Sequence, residues 1–442
     1  MASTYLSRTF GTADNYTKQT FSAWVKRGSL GGSQMMISGY NGSSSFSTQI
    51  DFNSDQLRVE FGGASQNEVK TNALYRDTNA WYHIVIAIDT TQATASDRIK
   101  FYVNGEQITS FALSNYPAQN DNSQLTYANS NNTVGASWNS NDKYDGSMSH
   151  VHFIDGTAYD ASAFGQYDAN GVWTIKTSPS VTYGTNGFFI LKDGNSVTDQ
   201  SGNGNNFTVA GGTLTNTEDS PSNVFATLNP LAYRLDAGVS LPTYSDGNTT
   251  VSYASDGGAG KSSMGTICFD TGKWYWEYKV NSANDTVFGG ITRADYDPND
   301  NFAGRSIYYN KSGALSVGTG TGGTANGSYG NSYTTGDIIS VAFDCDNGVI
   351  WFAKNGTWQN SATQAEIEAG TTTNSATTGI TLNQFWSPFL EGADSGMSIN
   401  FGNGYFGTTA VASAGTNASG IGIFEYDVPT GYTALSTKGL NL

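Results

Sequence analysis

Residues 336–358, GDIISVAFDCDNGVIWFAKNGTW, decide the fold class. Residues 337–344 and 349–354 are runs of apolar, β-branched and aromatic side chains, which suit a pleated and half-buried surface. Between them, Cys345-Asp346-Asn347-Gly348 leaves room only for a tight turn. The second run ends on Asn355-Gly356, the dipeptide that best tolerates the positive φ of a type I′ turn, and Trp358 follows. The reading is strand, turn, strand, turn, strand. A fainter copy lies at residues 81–108, where WYHIVIAID and RIKFYVNGEQI are strands and the second turns on Asn104-Gly105. One antiparallel pattern met twice, far apart in the chain, predicts two β-domains.

The composition agrees. A chain of 442 residues with 53 Gly, only 8 Pro, 25 Tyr, 23 Phe and 9 Trp is turn-rich and aromatic, unlike a disordered one. Two β-sandwiches fit this length, since such domains often exceed about 200 residues. A net charge of −16 argues against nucleic acid, where phosphates need clustered Lys and Arg. It also disfavours an anionic membrane, and no apolar run approaches the roughly 18 residues of a spanning helix. MASTYLSRTF at the start has no apolar core segment of a secretory signal. Two cysteines are no disulfide framework. Cys345 is expected in a turn and Cys268 in a strand, with nothing to bring them together.

Taken in order, residues 20–26 (TFSAWVK) alternate Phe21, Ala23 and Val25 against Ser22, Trp24 and Lys26, a strand. Strand-like runs follow at 34–39, 46–52 and 56–61, divided by Gly, Ser and Asn. Residues 147–154 (SMSHVHFI) form another, and 160–164 one helical turn. In order, TFSAWVKR, WYHIVIAID, IKFYVNGEQI and DGSMSHVHFIDGTAYDASAF resemble the laminin-G-like (concanavalin-A-like) jelly roll over about residues 3–165. Many members open with a D-x-SGNGN segment, whereas DQSGNGNNFT stands here at 199–208. Residues 187–215 are therefore expected to supply the missing strands in circularly permuted order, giving a first domain of residues 1–222.

DSPSNVFATLNPL (219–231) reads as the boundary. Beyond it, GKWYWEYKV (272–280), VFGGIT (287–292), the opening hairpin, WSPFL (386–390) and SINFG (398–402) resemble a SPRY domain, placed at 223–407. Residues 408–442 are expected to be a C-terminal arm that starts flexibly (TTAVASAGTNASG) and regains strand character at 421–426. Such an arm either folds back on its own sheet or adds a strand to a neighbour. The pairing, with its linker and the ending VPTGYTALSTKGL, resembles virion-associated proteins of tailed phages, particularly marine ones. That likeness implies a structural or host-contact role.

Motifs for chemistry are sparse. GAGKS (258–262) has Ser255 where a phosphate loop needs Gly, and no helix pattern follows. His150 and His152 are read as half-exposed histidines on one strand face, opposite Val151 and Phe153, with no third ligand near in sequence. Asp295, Asp297 and Asp300 concentrate oxygen ligands, and so does the cluster around Asp199. Each is read either as a Ca²⁺ loop or as Asx-turns, and no other cofactor is expected. A glycan hydrolase on this fold needs paired strand-borne acids; Glu277 stands alone in WYWEY, and Glu366 and Glu368 belong to a helical-looking insert. No catalytic residue is expected.

Loop aromatics remain: Trp138 and Tyr144 in ASWNSNDKYDG, Tyr329 and Tyr333 in GTANGSYGNSYTTGD, and Trp358. Such rings beside amides suit sugars or anchor a protein partner, or else cover the sandwich ends. Trp24, Trp81, Trp274, Trp276 and Trp351 fall in strand patterns and are expected in the cores. The sequence thus predicts an all-β chain of two tandem antiparallel sandwiches. Its expected role is a non-enzymatic virion surface protein (fibre, tip or capsid decoration). Expected partners are other virion proteins and a host surface glycan or protein, with neither nucleic acid nor membrane insertion. A homo-oligomer is expected, a trimer only by analogy with phage fibres. A glycan-degrading enzyme and a purely structural cement are the alternatives.

Overall fold

The computed structural model describes all residues except 1–3, 43–46, 63–66, 193–195, 236–239, 256–260, 296–305, 318–323, 378–379, 381 and 442. Strands make up 46% of the chain and helix 4%, so the all-β expectation stands. Two compact units divide between Asn216 and Thr217, a little before the expected boundary. The linker already belongs to the second unit: Glu218 N–H donates to Asn403 O and Ala226 N–H to Leu435 O.

The strands of the first unit are β1 (Tyr5–Thr9), β2 (Lys18–Arg27), β3 (Ser33–Tyr40), β4 (Ser47–Asn53), β5 (Gln56–Phe61), β6 (Asn67–Thr71), β7 (Trp81–Asp89) and β8 (Ile99–Val103). They continue with β9 (Glu106–Ile108), β10 (Phe111–Ser114), β11 (Asn131–Val134), β12 (Gly146–Asp155), β13 (Gly165–Tyr167), β14 (Trp173–Ile175), β15 (Phe188–Ile190) and β16 (Thr208–Gly211). One sheet runs β10-β6-β5-β4-β3-β11-β1-β16 and the other β15-β12-β2-β7-β8-β9, with β13–β14 a separate hairpin. Residues 187–215 thus add an edge strand to each sheet: β15 beside β12, with Val151 opposite Ile190, and β16 beside β1, with Leu6 opposite Val209.

The period of two fixes what fills the core. Phe21, Ala23, Val25, Ile84, Ile86 and Phe153 face Ile50, Phe52, Val59 and Phe61 of the other sheet in one cluster. The outer face of the six-stranded sheet is covered as well. Val85 and Ile154 lie under Ala161 and Phe164, with Tyr102, Trp173 and Tyr183 packed around them.

The second unit has a seven-stranded sheet in the order Leu228–Leu235, Lys261–Gly265, Trp386–Gly392, Val287–Arg293, Ser306–Asn310, Ala314–Val317, Thr324–Ser328. Its other sheet runs Thr243–Ser245, Thr250–Tyr253, Ser395–Asn400, Lys273–Ala283, Ile338–Asp344, Val349–Lys354, Thr357–Trp358. The decisive hairpin pairs as its sequence predicts, Val341 opposite Phe352 and Asp344 opposite Val349. Its second turn has Asn355 at φ 47° and Gly356 at φ 77°, the signs of a type I′ turn. Trp276, Tyr278, Val341 and Phe352 point into the sandwich, while Tyr275, Ala342, Val349 and Trp351 point out.

That outward face is covered by the C-terminal segment, so of the two expectations for this arm the fold-back on its own sheet is the one observed. Phe424, Val428, Tyr432 and Ala434 are buried against Tyr275 and Trp351. Thr433–Ala434 pairs parallel to Trp274 and Tyr275. The strand expected at 421–426 is reduced to one bridge between Ile423 and Asn403. Three of its backbone groups bond to side chains of the sheet beneath: the N–H groups of Glu425 and Tyr426 donate to Glu277, and Ile423 O accepts from Asn400 Nδ2. The insert at 362–370 contains the helix Gln364–Glu368, closed by a Thr363–Glu366 capping box. Both cysteines are free; Cys345 is buried in its turn, and Cys268 is exposed beyond the strand Lys261–Gly265.

Candidate functional site

Five aromatics are candidates in sequence, and the fold separates them. Tyr144 is buried at 5% exposure, with its hydroxyl donating to Lys26 O at 3.0 Å. Tyr329 is 8% exposed and its hydroxyl accepts the Phe352 N–H. Tyr333 is 3% exposed, with its hydroxyl 2.8 Å from Tyr309 O and 3.2 Å from Val287 O. These three rings are core, a correction to their reading as exposed loop aromatics. A loop carries no periodicity to say which way a ring points, and buried backbone groups, carbonyls for Tyr144 and Tyr333 and an N–H for Tyr329, gave each hydroxyl a partner. Trp138 and Trp358 stay half-buried. Trp138 lies flat on Tyr40, centroids 4.1 Å apart at 6°, and Trp358 packs against the cluster under the C-terminal segment.

The described carboxylate candidates, Asp199 and Asp295, are taken up by the protein itself. Asp199 accepts from the N–H groups of Phe189, Ser201 and Asn205 and from Ser201 Oγ, all within 2.9 Å. This is the Asx-turn alternative in full, and it ties the SGNGN loop to β15. Asp295 pairs with Arg293 Nε at 3.0 Å. Asp297 and Asp300 lie outside the described residues, as do Gly258 and Gly260 of the GAGKS run. Lys261 opens a strand rather than a helix. Among the described residues no group of three or more His, Cys, Asp or Glu is placed to hold a metal.

His150 and His152 both lie against Phe189, at 5.7 and 3.9 Å, on the side away from the core residues Val151 and Phe153 as expected, but only His150 is half-exposed. A bulge falls between Ser149 and His152, and His150 adopts φ 49°. His152 is 2% exposed, stacked 3.9 Å from Phe189 and bonded through Nδ1 to Tyr183 Oη. Glu277 is fully buried. Its carboxylate accepts the N–H groups of Glu425 and Tyr426 and the Tyr275 hydroxyl, so it anchors the C-terminal segment. Glu366 caps its helix, and Glu368 accepts the Thr430 N–H.

An open cleft of about 470 Å³ lies on the first unit, between the β8–β9 and β13–β14 hairpins. Tyr102, Gln107, Asp160, Gln166, Tyr167 and Trp173 line it, with Ser162 and Lys176 at its side. No signal in the sequence singled these residues out, because β13 and β14 are three residues each and lie outside the recognised strand pattern. Trp173 is built in. A Cβ on Gly105 or Gly165 would come within 2.5 or 2.4 Å of its ring, so both glycines exist where the indole passes. Its Nε1–H donates to His83 Nδ1 at 2.9 Å, and His83 Nε2 stands 2.9 Å from Ser22 Oγ. Burial pushes the His83 pKa down to about 3, so the imidazole is neutral. With Nδ1 accepting, the proton sits on Nε2 and is donated to Ser22. Trp24 stacks on the same imidazole at 4.9 Å. The cleft's rim is polar: Asp160 Oδ1 accepts from Ser162 N–H and Oγ, Lys176 Nζ donates to Ser162 O, and the Tyr167 hydroxyl donates to Glu106.

Residues 3–162 match the family model of the concanavalin A-like lectin/glucanases superfamily, and residues 273–371 match that of the SPRY domain. The chain therefore carries a concanavalin A-like sandwich followed by a SPRY sandwich, the tandem its motifs resemble. Domains of these kinds point to a ligand-binding or protein-interaction module. Similar solved structures include the SPRY domain of human HERC1, at 16% identity and TM-score 0.29, covering 39% of this chain and 96% of that one. A human SPRY domain (13%, TM-score 0.26, 38% and 96%) and the TRIM65 PSpry domain (13%, TM-score 0.28, 40% and 91%) are others. No curated protein matches the chain. Among the described residues no helix is long and apolar enough to cross a membrane.

Proposed function

We propose that the chain is a non-catalytic surface protein of a tailed-phage virion, a fibre, tip or capsid decoration, that binds a host glycan or protein and needs no cofactor. The observation that carries this reading is the open, aromatic-walled cleft on a sandwich of the lectin-like class. Several features support a binding role over catalysis. Asp160 is the one carboxylate among the cleft's described lining residues, whereas glycoside hydrolysis uses a pair. Glu277 is enclosed by the C-terminal segment, away from any substrate. The oxygens of Asp199 already have protein donors, which favours a metal-free loop. On the particle the protein is exposed and assembled as a homo-oligomer, with a trimer favoured by the likeness to phage fibres.

The test is adsorption of the purified protein to a susceptible host, with and without EDTA, alongside an assay for reducing sugar released from the host's surface polysaccharide. Saturable adsorption that survives EDTA, with no sugar released, is the expected outcome. Sustained turnover abolished by a carboxylate substitution would make the chain an enzyme. Absence of adsorption, with the protein imaged only between capsid subunits, would make it cement.

A further inference from the structure

Resting on the binding role just proposed, we infer that the cleft between the β8–β9 and β13–β14 hairpins is a subsite for a short neutral oligosaccharide. Its walls offer two kinds of surface that sugars need together. Trp173, Tyr102 and Tyr167 give aromatic area, with Tyr167 49% exposed and set edge-on to Trp173 at 4.9 Å and 70°. Aromatic faces stack on the C–H side of a pyranose. Gln107 and Gln166 are exposed carboxamides, each able to donate and accept, which is what vicinal hydroxyls require. Gln107 stands opposite Tyr102 on β9 and Gln166 opposite Thr174 on β13, so each is held by a short ladder.

Charge argues for a neutral ligand. Among the described lining residues Lys176 is the one ammonium, and the carboxylates Asp160 in the cleft and Glu106 beside Tyr167 outnumber it and would oppose an anionic sugar. The volume of about 470 Å³ falls within the roughly 300–1,000 Å³ of small-molecule sites. Pre-organisation argues for a real site. The indole is wedged against two glycines and pinned by a buried neutral histidine, so little side-chain freedom is lost on binding. Trp173 is the platform and His83 a positioning residue.

The experiment uses the full chain and neutral tetrasaccharides of glucose, galactose and mannose, with a uronate tetrasaccharide and an extended peptide as competitors. Binding is read by titration calorimetry and by the NMR signal of the Trp173 indole N–H, which its bond to His83 sets apart. A neutral tetrasaccharide should shift that signal. Gln107→Ala and Gln166→Ala, both at exposed positions that leave the core intact, should each weaken binding by about tenfold. Trp138→Ala should leave it unchanged. The inference falls if no neutral tetrasaccharide binds, if the uronate or the peptide binds this cleft more tightly, or if the two glutamine variants bind normally. Host adsorption by the glutamine variants at full strength would sink this subsite while leaving the surface-binding role standing. Sugar binding in the cleft without any host adsorption would do the reverse.

Discussion

Glu277 concentrates at one residue the cost of holding the C-terminal segment. It is the lone acid of WYWEY, fully buried in the longest strand of its sheet, and accepts two backbone N–H groups and a tyrosine hydroxyl. Burial outweighs those donors and pushes its pKa up to about 7 from an ordinary 4.5. Below about pH 4.5 the group is neutral both folded and unfolded, and stability is at its full value. Between 4.5 and 7 the unfolded chain ionises while the folded one resists, so stability is lost as pH rises; above 7 the loss is complete. The size is on the order of 3 kcal/mol. Denaturant titrations at pH 5 and pH 8 should therefore show the second unit more stable at pH 5, and Glu277→Gln should flatten that difference. Equal pH dependence in the wild type and the variant would refute the assignment. In sequence Glu277 was visible only as an acid without a partner, because its two backbone donors come from a segment about 150 positions further on. Tyr144, Tyr329 and Tyr333 were misread for the same reason: their partners are distant backbone carbonyls and N–H groups.

Hairpins were the most legible elements, because a two-residue turn states its own backbone requirement. Both Asn-Gly turns have positive φ at both residues, and in both the asparagine Oδ1 accepts a backbone N–H, from His83 and from Ile338. The structure adds a second demand that no local reading holds. Gly105 is covered by Trp173, and a Cβ on Gly356 would stand 2.6 Å from the Tyr426 ring. Replacing Gly356 by Val thus meets two penalties, a β-branched residue at positive φ and a collision with the C-terminal segment. The expected loss is roughly 2 kcal/mol or more in the second unit, read as a fall in its melting temperature. An unchanged transition would contradict the turn. By contrast, β13 and β14 are three residues each, too short for any alternation to register, and with them the cleft stayed hidden.

At the scale of the whole molecule, the order of the two sandwiches was legible because each repeats strand patterns with fixed turns. What covers the outer sheet faces was not. A residue on an outward-facing strand position reads as solvent-facing unless a distant segment returns to bury it. Residues 156–187 do this for the first unit and the C-terminal segment for the second. The covering is substantial. Phe424, Val428 and Tyr432 are each at most 3% exposed, as are Tyr275 and Trp351 beneath them. At about 1.5–3 kcal/mol for each large apolar side chain, uncovering five would cost on the order of 10 kcal/mol. That is comparable to the whole stability of a domain, about 5–15 kcal/mol. Removing residues 421–442 should therefore do more than weaken an attachment. The second unit should lose its cooperative transition or aggregate through the bared Tyr275–Trp351 face, while the first unit, whose two clusters contain none of these residues, keeps its own. Calorimetry of the truncated chain decides it. A second-unit transition surviving at its original temperature would mean that the segment is an exchangeable strap rather than part of the domain.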